Sequence, residues 1–174
     1  RLCNTNMMAI TIKRIALSVA LCRVSLDKPN QWSKTMTNFV KNILAVYKQA
    51  EDHEIKHGKT WYSDALKECQ DMADCHKLPL HIVAGVVAAL SPTNRWERNL
   101  VDAHYMCKTF VEGGYVEDCA PCTYKTMRDK AWSILQSMPH TVEDVAFILK
   151  GPKITDFFLC IMGHDVCVID GHAW

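Results

Sequence analysis

Apolar positions recur along most of this chain every three or four residues, the spacing that lines one face of an α-helix. Met36, Phe39, Val40, Ile43, Leu44 and Tyr47 predict an amphipathic helix over 33–49, with Lys34, Lys41 and Lys48 outward. Residues 53–59 are polar and reach Gly58, so they read as a connector. Thr60 is placed to cap the next helix, which runs to about His76 with Trp61, Ala65, Leu66, Cys69, Met72 and Ala73 inward. Pro79 follows. The run Leu80 to Leu90 is apolar all round, which predicts a buried central helix with His81 near its solvent-facing end. Gly85 and the neighbouring alanines allow close packing there. Ser91-Pro92-Thr93-Asn94 breaks the chain, and a long helix follows with Trp96, Leu100, Ala103, Cys107 and Phe110 inward and Arg95 and Arg98 elsewhere. Gly113-Gly114 ends it. Lys125 to Ser137 is a further helix, packed through Met127, Ala131, Ile134, Leu135 and Met138, with Lys125, Arg128 and Lys130 on a solvated face. Only residues 7–26, apolar and basic, leave helix and strand equally open. The fold class is all-α.

The C-terminal run is the densest in signals. Thr141 caps a helix whose first turn carries Asp144. Gly151 ends that helix in a left-handed turn, since a residue without Cβ tolerates it, and Pro152 opens the next, where a missing N–H costs nothing. Ile154, Phe157, Phe158 and Ile161 share one face, and Gly163 stops the helix. This second helix is roughly 18 Å long at about 1.5 Å per residue. The extended return from Gly163 to Ile169 spans about 23 Å. Asp170 can therefore come back beside Lys153, each at the positive end of a helix dipole. On spacing alone, a surface salt bridge with an N-cap aspartate is the favoured account of the pair.

These residues resemble the helix–hairpin–helix–Gly/Pro–Asp (HhH-GPD) superfamily of DNA glycosylases. There a Leu-Pro-Gly-Val-Gly hairpin precedes a catalytic lysine, and a Val-Asp-x-His motif carries the catalytic aspartate. The matching pieces are Leu149, Gly151, Lys153 and Ile169-Asp170-Gly171-His172, and the ending Ile-Asp-Gly-His-Ala-Trp is similar to that of the 8-oxoguanine glycosylase/lyase branch. The hairpin departs from the pattern by being two residues shorter between Gly151 and Lys153 and lacking the second glycine. A second match, Ala-Ala-Leu-Ser-Pro-Thr-Asn, resembles the turn that fills the gap left by an extruded base, with Thr93, Asn94 and Arg95 as the wedge candidates.

The resemblance covers roughly residues 80–174 and implies a glycosylase acting on double-stranded DNA with a damaged or modified base. It implies Lys153 as a Schiff-base nucleophile if the enzyme is also an abasic-site lyase, Asp170 as the carboxylate that stabilises the charged sugar, and His172 as support for the Asp170 turn. Gly151 would sit on the DNA backbone. Trp61, Trp96 and Trp174 are candidates to stack on a base. A non-catalytic helix–hairpin–helix nucleic-acid-binding protein, or a structural or assembly protein, stands as the alternative. A fainter resemblance links the chain to uncharacterised phage-encoded proteins with similar Ala-Leu-Ser-Pro and Ile-Asp-x-His motifs.

Charge changes the picture by its distribution. The net charge is only +1, but residues 1–50 carry eight Lys/Arg against one acid, Asp27, and residues 51–174 carry twelve against eighteen. That asymmetry divides the chain into a basic N-terminal arm and helix, 1–50, and a helical glycosylase-like domain, 51–174. The arm suits nucleic acid or an acidic surface, and a solvated basic helix explains it as well. The nine cysteines are an odd number scattered over helical stretches, so they read as reduced thiols of a cytoplasmic protein, in the host cell if phage-encoded. Cys69, Cys107 and Cys160 sit at apolar helical positions as small hydrophobes. Cys119-Ala-Pro-Cys122 is the nearest approach to a metal motif, with Cys75-His76 elsewhere, but one Cys-x-x-Cys without a second pair defines no ligand set. His53 and His57 likewise read as solvated. The reading assigns no metal and no cofactor. The longest apolar run, Ile15 to Cys22, is too short to span a bilayer, so no membrane partner is expected. The chain starts without Met, with Met7-Met8 close behind, and stops four residues past Asp170, so both ends read as cut.

Overall fold

A computed structural model of the protein describes residues 40–169. Among the described residues every regular element is helical, in agreement with the all-α expectation. After helical residues over 40–47, the elements are α1 (Asp52–His76), α2 (Leu80–Leu90), α3 (Trp96–Val111), a single 3-10 turn (Val116–Asp118), α4 (Lys125–Ser137), α5 (Val142–Leu149) and α6 (Pro152–Ile161). The chain divides into two compact units, one of residues 1–61 with 167–174 and one of residues 62–166. The expected basic segment over 7–26, and the first part of the expected helix, 33–39, lie outside the described residues, while 40–47 of that helix are helical.

The unit of residues 62–166 is built around α2. Every residue from Ile82 to Leu90 is buried, as a stretch apolar on all faces requires. Helices α3, α4, α5 and α6 all pack against it. Gly85 makes the closest of these approaches possible. A Cβ built there would meet Val145 Cγ1 of α5 at 2.5 Å and Ile134 Cδ1 of α4 at 3.4 Å. Val145 is fully buried and, being β-branched, has little rotamer freedom with which to yield. Gly85→Ala should therefore lower the unfolding free energy by about 1–2 kcal/mol, the strain of overpacking outweighing the gain of about 1 kcal/mol in helix propensity. Urea denaturation checks this, and a stabilised variant would mean that α5 can slide outward.

The start of α1 differs from that read in the sequence. The polar stretch before Thr60 is no connector: α1 runs without a break from Asp52 through Gly58. Its start is fixed earlier, where the Glu51 amide donates to Glu54 Oε2 at 3.0 Å and Asp52 and Glu54 place negative charge on the first turn. A single interior glycine costs a helix about 1 kcal/mol, which does not break one of this length. Thr60 is accordingly no cap; its hydroxyl donates back to the His57 carbonyl.

The buried face of α3 is also rotated. It consists of Asn99, Asp102, Ala103, Met106, Cys107 and Thr109, while Trp96, Leu100 and Phe110 are half-buried. Asn99 has a structural task there. Its Nδ2 donates at 2.9 Å to the Val87 carbonyl, one of the last four carbonyls of α2 that lack a partner within the helix. Ser91 closes the next, Ala88, through both its amide and its hydroxyl.

Cys69, Cys107 and Cys160 are buried, as their apolar helical positions predict. Burial pushes the Cys69 and Cys107 thiols up to about 12, and Cys160 Sγ donates to the Val166 carbonyl at 3.1 Å.

Candidate functional site: the hairpin between the last two helices

The hairpin begins at a reciprocal cap. Thr141 Oγ1 accepts from the Asp144 amide at 3.1 Å, and Asp144 Oδ2 accepts from the Thr141 amide at 3.2 Å. From there α5 runs eight residues to Leu149. The turn to α6 then takes only two residues, Lys150 and Gly151, before Pro152 at the first helical position.

Lys150, and not Gly151, takes the left-handed conformation, with φ 58°. Gly151 is extended (φ −89°, ψ 128°) and precedes α6 as its N-cap. A left-handed lysine is unfavourable, and its surroundings offset the cost. The Lys150 amide donates to the Ala146 carbonyl, and Lys150 Nζ lies 5.3 Å from the centre of the Phe147 ring. Gly151 suits a close approach, since a Cβ there would press on Ile154 Cγ1 at 3.3 Å.

Lysines gather at this turn. Lys130, expected on a solvated face of α4, is instead half-buried and its Nζ donates to the Leu149 carbonyl at the negative end of α5. Burial, and then the nearby charge of Lys150, hold its ammonium below the usual lysine range. Lys153 follows as the second residue of α6 and is half-buried. Asp156, one turn further on, has its carboxyl pushed up by burial. Phe147 is the exposed apolar feature of the hairpin, at 75%.

Behind the turn, α6 is seated by Ile154, Phe158, Cys160 and Ile161, all buried. Phe157, expected on the same face, leaves it for an aromatic group, edge-on to Tyr62 at 6.1 Å and to Trp96 at 6.4 Å. Trp96 thus stands three helices away in sequence but in ring contact with the Lys153 helix. Trp61 is half-buried in α1. Asp170, His172 and Trp174 lie outside the described residues.

The other predicted cluster is the turn before α3. Thr93 is exposed and left-handed, with φ 60°, and its hydroxyl donates to the Pro92 carbonyl. Arg95 is exposed. Asn94 turns inward, its Nδ2 donating at 3.0 Å to Asp102 Oδ2. Asp102 is the anchor that periodicity did not reveal. Its carboxylate also accepts from Arg98 Nε at 2.7 Å and from the Cys122 amide at 2.8 Å, so one buried acid ties the turn, α3 and the cysteine loop together. Within that loop Cys119 is buried and Cys122 exposed. Burial raises the Cys119 thiol, with the Thr109 hydroxyl acting in opposition.

A family model described as a family of unknown function, DUF7178, matches residues 26–174, and the chain belongs to that family. No curated protein and no solved structure gives a significant match.

Proposed function

We propose that this member of the DUF7178 family is a DNA-binding protein of the base-excision type, gripping double-stranded DNA with the α5–α6 hairpin and using Lys153 on an extruded nucleotide. The observation that carries this reading is the turn itself: Lys150 lies in it, Lys130 reaches the Leu149 carbonyl beside it, and Lys153 follows as the second residue of α6. Cationic side chains and the positive end of α6 both favour phosphate. The exposed Phe147 adds an apolar surface beside them.

In the proposed reaction the damaged or modified base leaves its sugar, and Asp170 stabilises the positive charge that develops there. The base departs with the electron pair of its bond to the sugar and takes up a proton. The Lys153 amine bonds to that sugar carbon and gives up one proton, and cleavage of the bond from this carbon to the ring oxygen, which is protonated, leaves the Schiff base. His172 supports the Asp170 turn. Thr93 and Arg95, on the exposed turn before α3, serve as the wedge, and Trp96 and Trp61 as stacking surfaces. Asn94 contributes by bracing that turn through Asp102.

A non-catalytic binder on the same scaffold is the second reading, and Pro152 is the observation that favours it. It stands where a phosphate-binding hairpin would offer an amide, and proline has none. Among the described residues no single helix is long and apolar enough to cross a membrane.

Borohydride trapping on a duplex with one abasic site separates these readings. Reduction of the Schiff base should leave a covalent adduct with the native chain and none with Lys153→Gln, while both bind DNA. Binding should weaken steeply as salt rises. Salt-sensitive binding without an adduct favours the non-catalytic reading or a glycosylase without lyase activity, and no binding sinks both.

A further inference from the structure

Helix α1 ends at His76 in a tight reversal: Lys77 is left-handed with φ 56°, and the Leu78 amide reaches back to the Ala73 carbonyl at 3.0 Å. Cys75 and His76 therefore occupy the last turn, where the helix dipole is negative and a cation is favoured. His104, on α3, faces them. Its Nδ1 is 3.2 Å from His76 Nε2, and the two rings are 4.4 Å apart at 56°. The Cys75 sulfur completes the group, with all three potential ligand atoms within 4.8 Å of one another.

We propose that Cys75, His76 and His104 hold one zinc ion, with solvent at the fourth position, and that the ion ties the C-terminal end of α1 to α3. The dimensions agree with tetrahedral zinc. Metal bonds of about 2.0 Å to nitrogen and about 2.3 Å to sulfur put two ligand nitrogens about 3.3 Å apart and a nitrogen and sulfur about 3.6 Å apart. The histidine pair already has the first spacing, and Cys75 is exposed and has room to close the second. Without metal, the same nitrogens share a single proton in a hydrogen bond.

Burial, and then the facing His104, hold His76 below the usual histidine range. Lys108 is 3.9 Å from Glu112 on the outer face of α3 and so is partly compensated. Cys75 and His76 are adjacent, and His104 follows after 28 residues, so no regular ligand spacing marks the set in the sequence. The inference does not rest on the DNA-binding reading.

Titration of the full chain, stripped of metal and kept reduced with a phosphine, tests it. Cobalt(II) should bind to one equivalent with tetrahedral ligand-field bands and a thiolate-to-cobalt charge-transfer band, and zinc should displace it. His104→Ala and Cys75→Ser should each weaken binding more than tenfold, since loss of even an outer partner of a ligand costs about 10–100-fold. The charge-transfer band should vanish in Cys75→Ser. Cys119→Ser/Cys122→Ser should leave the titration unchanged. These side chains are exposed or half-buried except for Cys119, and circular dichroism verifies that each variant folds. No saturation at one equivalent, binding indifferent to His104→Ala, or binding lost with the Cys119/Cys122 pair would overturn the proposal.

Discussion

Phe158→Ala is expected to lower the unfolding free energy by about 4 kcal/mol. Phe158 is fully buried and is among the largest side chains so enclosed. It sits on α6, which packs against both α2 and α5, so its removal opens a cavity where three helices meet. The measurement is a urea unfolding curve, with the midpoint falling and the slope unchanged. Phe157→Ala is the internal control. That ring is only half-buried and makes two edge contacts, so its loss should cost about 1–2 kcal/mol. Equal losses for the two variants would mean that α6 is seated through its aromatic side, and the described packing would be wrong. The effect should also reach the hairpin. Lys153 directly precedes Ile154 on the same short helix as Phe158, so a loosened seat should weaken the proposed DNA binding before the fold is lost.

The helices that the sequence predicts well are those whose apolar pattern suffices to define them. α2 and α4 begin and end where the pattern places them, and α6 opens at Pro152. In each case burial and end signals agree. The errors come where a polar or conformationally costly residue is held by something distant in sequence. Gly58 looks like a break only if helix length and the Glu51–Glu54 cap are ignored. Lys150 adopts a conformation that glycine usually takes, because Phe147, Lys130 and the close approach at Ile154 settle the turn differently. Asn99 and Asp102 are missing from the expected inner face of α3, since periodicity counts apolar residues and cannot foresee a carbonyl or an amide waiting across the core. The histidine pair is a tertiary meeting of two helices, invisible to any local motif. For the candidate site, local structure around Lys153 follows from Gly151-Pro152, whereas Asp170, its expected partner, falls outside the described residues.

Asp102→Ala should be the most damaging polar substitution, lowering stability by about 3–5 kcal/mol. Its side chain is only 4% exposed and accepts from three donors on three segments, Arg98, Asn94 and the Cys122 amide. Alanine leaves the last two without their acceptor in a partly buried place, and each such loss costs about 1–3 kcal/mol. Arg98 is more than half exposed and can turn to water, so Arg98→Ala should cost about 1 kcal/mol or less. Asp102→Asn separates shape from charge: it retains one oxygen acceptor but turns an amide donor toward donors already present, and an intermediate loss is expected. A second readout identifies which segment moves. The Cys122 amide is the tether of the cysteine loop, and Cys119 in that loop is buried. Asp102→Ala should therefore speed alkylation of Cys119 under native conditions, whereas Arg98→Ala should not. If stability falls while Cys119 stays protected, the acid holds α3 and the Asn94 turn without restraining the loop, and its bond to the Cys122 amide contributes little.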